Sequence, residues 1–323
     1  MKRFLKKTFF FALPILLLSF GLDIFLSTNL KKINELAYGE YSTWNDLFEG
    51  KVDSDLLVYG SSRAWCHISP KILEESLKIS SYNLGINGHN FWLENFRHSL
   101  VLKNNSKPKL ILFSLDMFTL QKKKELYNSE QFLPYMLWNK DIKKATQSYH
   151  GFNFYDYYFP LVRYYNKLLI LQKTMSFSMG FLQNPEARVK GYKGKDKSWN
   201  SDLDKAKVKR KKYVVPIDKE SQLLFEHFLV DCKNQNIKLI FVYTPEYIEG
   251  QKFVKNRQMV MNLYSHYSKK YQIPFYDYSN DTICFQKKYF YNASHLNRKG
   301  AELFTHQLVN TLQHDEIVKN LIH

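Results

Sequence analysis

Asp53-Ser54-Asp55-Leu56-Leu57-Val58-Tyr59-Gly60-Ser61-Ser62-Arg63 is the stretch from which the rest of the chain can be read. Charged and polar residues lead into Leu56–Gly60, an apolar run too short for a helix and without polar alternation. A strand covered on both faces reads this way. The run ends in Gly-Ser-Ser, which leaves a serine hydroxyl where a strand gives way to a helix.

Four more runs share the pattern: Ser81–Gly85, Leu110–Leu115, Lys238–Tyr243 and Pro274–Tyr278. Helical spacing lies between and after them, over Ser69–Leu77 with its Ser-Pro start, Lys219–Asn234, Val254–Tyr271 and Asn297–Leu312. Strands alternating with helices predict an α/β fold built on a doubly wound, five-stranded parallel sheet with right-handed crossovers. Residues 120–216 break the rhythm, being aromatic to about residue 182 and then Lys-rich. They are expected to form an inserted cap, with the basic run 188–212 as a mobile loop.

Residues 8–28 form one apolar stretch of transmembrane length, preceded by Lys2, Arg3, Lys6 and Lys7. The positive-inside bias predicts a single-pass anchor with a cytoplasmic N-terminus and an exported remainder, and Asp23 is then expected near the outer interface. A cleaved signal peptide is the competing reading, although no Ala-x-Ala site is present after the stretch. The expected organisation is residues 1–28 as tip and transmembrane anchor, 29–52 as stalk, 53–119 and 217–323 as α/β domain, and 120–216 as cap.

The net charge of +17 comes from 47 basic and 30 acidic residues, and residues 188–212 hold eleven basic side chains against three acidic ones. No nucleic-acid-binding signature accompanies them, and an anionic membrane surface or cell-wall polymer accounts for them as well. Cys66, Cys232 and Cys284 lack metal-ligand spacing, so neither a metal nor an organic cofactor is implied.

In an open α/β sheet, ligands sit beyond the carboxyl ends of the strands. The first run leads directly into Gly60-Ser61-Ser62-Arg63, and the second into Asn83-Leu84-Gly85-Ile86-Asn87-Gly88-His89-Asn90. Asp116 stands after the third, and Thr244-Pro245-Glu246-Tyr247 after the fourth. Before the last helix stands Asn292-Ala293-Ser294-His295. This set resembles the SGNH or GDSL hydrolase superfamily, whose fold is flavodoxin-like, over residues 53–118 and 237–312. Gly60-Ser61-Ser62 looks like its Gly-Asp-Ser block, with Ser61 in place of Asp. Asn83 to Gly88 looks like its second block, and Asn292 to His295 like its Asp-x-x-His block.

The resemblance implies Ser62 as nucleophile, His295 as general base, and the N–H groups of Ser62 and Gly88 as oxyanion donors. Arg63, Asn87, His89 and Asp116 are candidates for substrate contacts, and Asn90 for the same loop; a helix carboxylate is an equal candidate as the partner of Arg63. Two departures stand out. Asp116 occupies the place where the family supplies an oxyanion-hole Asn, and Asn292 stands where it has Asp. An amide orients an imidazole but does not neutralise the imidazolium. Asp277 and Asp281 are alternative acids, a backbone carbonyl dyad is another option, and lost catalysis a third.

Among its members, the layout is similar to membrane-anchored proteins that modify surface polymers, of the teichoic acid D-alanyl transfer and alginate O-acetylation kind. The expected function is therefore a serine esterase or O-acyltransferase acting on acylated cell-surface polysaccharide, with the membrane as partner through the N-terminal helix and a membrane acyltransferase as a further candidate partner. The alternative is a catalytically degenerate domain that binds a glycan or such an acyltransferase.

Overall fold

The computed structural model describes residues 1–88, 91–209 and 212–322. Five strands form one parallel sheet: β1 (Leu56–Gly60), β2 (Ser81–Asn83), β3 (Leu110–Leu115), β4 (Lys238–Tyr243) and β5 (Phe275–Asp277), in the order β2-β1-β3-β4-β5. Val58 stands opposite Asn83 on one side and Leu112 on the other, and Leu112 stands opposite Ile240.

The period of two sorts the strand residues by shape. Leu56, Val58, Leu110, Leu112, Ile240 and Val242 join Leu73, Leu77, Phe304 and Leu308 in one largely aliphatic core. Tyr59, Phe113 and Phe241 belong to an aromatic layer with Phe225 and Phe228, the ring centroids 5.5 to 6.3 Å apart. Each buried side chain of this size contributes roughly 1.5–3 kcal/mol through lost water contact. β1, β3 and all of β4 but its first residue are buried, as their unbroken apolar runs require.

The edge strands are shorter than expected. β2 ends at Asn83, although Leu84 and Ile86 still donate to the carbonyls of Val58 and Gly60 at 2.7 and 2.9 Å. β5 is half-buried and ends on an exposed Asp277, because an edge strand is covered less completely. Helices cover Pro70–Leu77, Lys219–Asn234, Arg257–Tyr271 and Arg298–Leu312, two of them capped by side-chain acceptors, Asp218 and Asn297, at the N-cap. Phe91–Asn104 is a further helix that the apolar pattern conceals, because Glu94, Arg97 and His98 interrupt its stripe yet are buried.

The chain divides into two compact units, residues 1–45 with 123–187 and residues 46–122 with 188–323. These edges differ from those expected. Residues 188–216 group with the sheet, and 188–200 are pinned there by backbone bonds: Asn83 N–H to Lys190 O at 2.9 Å, Arg298 N–H to Lys195 O at 2.9 Å and Asn200 N–H to Tyr291 O at 2.9 Å. The expected mobile loop is, over this stretch, an ordered strap, and Asp202–Lys209 is helical.

In the other unit lie residues 29–45 of the expected stalk, and part of that stretch is packed. Ile33, Tyr41 and Trp44 are buried, Trp44 Nε1–H donates to Gln131 Oε1 at 2.9 Å, and its ring lies 5.4 Å from that of Phe132. The N-terminal helix Lys2–Leu30 is long and apolar enough to cross a membrane. Its residues from Phe9 to Leu22 are largely exposed, whereas Asp23, Leu26 and Leu30 are buried. Asp23 is paired: the Arg163 guanidinium grips both its oxygens at 2.8 and 2.7 Å, and Leu161 N–H adds a third bond at 2.7 Å.

Candidate active site

Ser62 is the first residue of the Ser62–His67 helix, immediately past the end of β1. β1 lies between β2 and β3, so connections diverge from its carboxyl end, the place where ligands sit in open α/β sheets. Its hydroxyl lies 2.8 Å from His295 Nε2. His295 is on β7 (His295–Leu296), which pairs antiparallel with β6 (Phe290–Asn292). The two-residue turn between them folds Asn292 back, so that its Oδ1 is 3.0 Å from His295 Nδ1.

The hydrogen-bond donors settle the protonation pattern. Asn292 Oδ1 accepts the backbone N–H groups of Ser294 and His295 at 3.0 and 2.9 Å. Only the amide oxygen can do so, which fixes the amide orientation. The facing Nδ1 must then carry the imidazole proton, leaving the Nε2 lone pair towards Ser62. Burial, reinforced by the Arg63 guanidinium, pushes the His295 pKa down to about 3, so the ring is a free base near neutrality.

The ring is held from both sides. Tyr291 stacks on it at 5.3 Å, and His67 meets it edge-on at 6.0 Å. His67 has its own task, which the sequence did not signal. Its Nε2 accepts Leu296 N–H at 2.9 Å, so Nδ1 is the protonated nitrogen and donates to Thr244 Oγ1 at 2.9 Å. That chain ties the residue after the base to the end of β4.

Arg63, a candidate for substrate contact, is buried and turned inward. It donates to Thr244 Oγ1 at 3.2 Å and to Thr244 O, pairs with Glu246 at 3.3 Å, and lies over the Tyr243 ring at 4.4 Å. Its guanidinium is engaged within the fold with a carboxylate, the second of the two expectations for it. Asp116 is likewise committed: it accepts Ser61 Oγ–H and the N–H of Phe118, the latter at 2.7 Å, so the carboxylate faces the serine beside the nucleophile. Asp277 and Asp281, the alternative acids, accept the N–H groups of Ser279 and Ile283 at 2.9 and 2.8 Å and serve their own turns.

The loop after β2 passes close beside the Ser62–His67 helix. A Cβ on Gly85 would come within 2.5 Å of Trp65 N and 2.7 Å of Ala64 Cβ, so only glycine fits. Asn83 clamps the same contact, donating to the carbonyls of Ala64 and Ile68 at 2.8 Å each, and Arg97 holds the Leu84 carbonyl at 2.9 Å. Asn87 and Gly88 come next, both half-buried, Gly88 in the left-handed region with φ of 73°. His89 and Asn90 lie outside the described residues.

Ser62, His295 and Asn292 thus form a hydrogen-bonded serine–imidazole–amide chain at the carboxyl edge of a parallel sheet. No family model and no curated protein matches the sequence. Among solved structures, the fold is similar to a GDSL-like lipase from Bacteroides thetaiotaomicron, with 12% identity, a TM-score of 0.38, and 85% of this chain and 97% of that chain covered. It is also similar to a protein from Bacteroides fragilis described as an acylhydrolase, with 14% identity, a TM-score of 0.33, and 79% and 86% covered. Among the described residues, no group of three or more His, Cys, Asp or Glu is placed to hold a metal ion.

Proposed function

We propose that this protein is an SGNH-type serine esterase or O-acyltransferase that works through an acyl-Ser62 intermediate. The observation that carries the reading is the 2.8 Å contact between Ser62 Oγ and a His295 Nε2 whose tautomer is fixed by Asn292. His295 Nε2 takes the Ser62 proton as Oγ bonds to the ester carbonyl carbon. The carbonyl electrons move to oxygen, where the N–H groups of Ser62 and Gly88 are the donors this reading assigns. Collapse breaks the bond to the alcohol, which leaves with the proton from His295. Water or a second hydroxyl then resolves the acyl-serine by the same steps, giving hydrolysis or transfer.

The apolar helix Lys2–Leu30 supports membrane anchoring; the reading puts the α/β unit on the extracytoplasmic side and takes acylated surface polysaccharide as its substrate class. Lys2, Arg3, Lys6 and Lys7 ahead of the helix favour that orientation. Turnover of p-nitrophenyl acetate by the full chain tests the reaction. Hydrolysis that disappears in Ser62→Ala while the fold is retained is the expected outcome; equal rates in the two proteins would remove the mechanism.

One observation favours a second reading. Nδ1 of His295 faces an amide and not a carboxylate, so nothing neutralises an imidazolium there. A non-catalytic glycan-binding domain is the reading that holds if Ser62 is inert.

A further inference from the structure

The strap carries Arg188, Lys193, Lys195 and Lys197 onto the edge of the site. The Arg188 guanidinium and the Lys195 ammonium both lie over the Trp65 ring, at 4.2 and 4.5 Å, three residues after the nucleophile. Lys197 lies 5.9 Å from the ring of Tyr291, whose face stacks on His295. Below them opens a groove of about 580 Å³, lined by Lys195, Lys197, Lys287, Lys288, Arg298 and Lys299 among others.

Its one lining carboxylate, Asp196, is held bidentately by Arg298 at 2.7 Å twice. Among the described residues, the five lysine ammonium groups have no carboxylate within ion-pair distance; Lys287 and Lys288 lie over the rings of Trp199 and Tyr289 instead. Surface lysines are commonly solvated, but Lys195 and Lys197 stand on a strap whose backbone is bonded to Arg298 and Tyr291, which brings them beside Lys287, Lys288 and Lys299 in one groove. Burial above all, with Arg188, Lys197 and Lys193 adding to it, pushes the Lys195 pKa down to about 8. An anion in the groove would relieve this repulsion.

We propose that this groove seats an anionic group of the substrate, so that the site selects acyl esters borne by acidic molecules, acidic glycans foremost. The word substrate rests on the Ser62–His295 reading; the anion seat itself does not. Carboxylate and phosphate share the required chemistry, and either suits an open groove lined by ammonium groups.

Binding by the full chain in detergent tests this with four probes: polygalacturonate, its fully methyl-esterified neutral form, polyphosphate, and duplex DNA. The expected result is retention of polygalacturonate or polyphosphate that weakens with salt, no retention of the neutral polymer, and weaker retention of DNA. Lys195→Ala with Lys197→Ala should weaken the retained probe about tenfold, and the distant pair Lys233→Ala with Lys269→Ala less than about twofold. Equal losses in the two double variants, no loss in either, or DNA held as tightly as the acidic polymer would overturn the groove. Ser62 labelling by an uncharged fluorophosphonate, read on the unaltered chain, separates the two claims. Polymer binding without labelling removes the enzyme and leaves the groove; labelling with binding indifferent to Lys195 and Lys197 removes the groove.

Discussion

Asn292 Oδ1 accepts the Nδ1 proton of His295 at 3.0 Å, and its orientation is fixed by the N–H groups of Ser294 and His295. In a serine protease, replacing the triad Asp by Asn lowers kcat about 10⁴-fold because the wrong tautomer results. Here the backbone forces the amide oxygen towards the ring, so the productive tautomer is kept and only the negative charge is missing.

Asn292→Asp should therefore raise ester turnover, by roughly ten- to a hundredfold, because a carboxylate stabilises the imidazolium formed in the transition state. The pH profile gives a second readout. A base held at about 3 loses activity only as pH falls through that value, so the unaltered protein should show a flat rate from mildly acid to neutral pH. The carboxylate favours the protonated ring, so the acid limb should move upward in the variant. A lower rate with an unmoved limb would mean that the amide is not the partner of the working ring.

His67 holds the residue after the base through Leu296 N–H. Its loss in His67→Ala should lower kcat by roughly tenfold or more with little change in KM, since it touches no substrate and acts by positioning His295. His67→Gln offers an acceptor oxygen and should recover part of the rate. A uniform change in KM would contradict the positioning role.

Buried neutral histidines make the fold sensitive to acid. Burial pushes the His98 pKa down to about 4 and lowers that of His67 as well. The unfolded chain takes up these protons near 6.5 and the folded chain does not, so stability is fully present above that value and falls as pH drops towards 4. For His98 alone the loss is on the order of 3 kcal/mol. Denaturant titrations at several pH values should show this slope, reduced in His98→Phe.

Asp23 and Arg163 are both buried and bonded bidentately. Asp23→Asn leaves the guanidinium without its counter-charge and should cost about 3–5 kcal/mol. Asp23→Leu combined with Arg163→Met should cost less than either single change, measured as thermal stability in detergent. Additive losses would show that the pair does not act as a unit.

The fold was legible where local pattern and burial coincide. β1, β3 and β4 match the apolar runs Leu56–Gly60, Leu110–Leu115 and Lys238–Tyr243 residue for residue, because central strands need apolar side chains on both faces. β2 and β5 are shorter than their runs, since edge pairing and not composition decides where they stop. Ser62, Asn292 and His295 could be singled out because they stand after a strand run and before the last helix in motifs that resemble the Gly-Asp-Ser and Asp-x-x-His blocks. The strap was misread as a mobile loop because its lysines look solvated, and what orders it is backbone pairing to Asn83, Tyr291 and Arg298, far off in sequence. The partner of Arg63 stayed open for a related reason. Its partners Thr244 and Glu246 lie after a different strand, and local sequence carries no sign of that distance.

The most direct test of Ser62 as nucleophile is intact-mass spectrometry of the purified full chain after exposure to a fluorophosphonate, which phosphonylates an activated serine with loss of fluoride. The account predicts one adduct per chain, located at Ser62 and absent from both Ser62→Ala and His295→Ala. A folded chain that takes no label, or takes it equally in the two variants, would contradict the account.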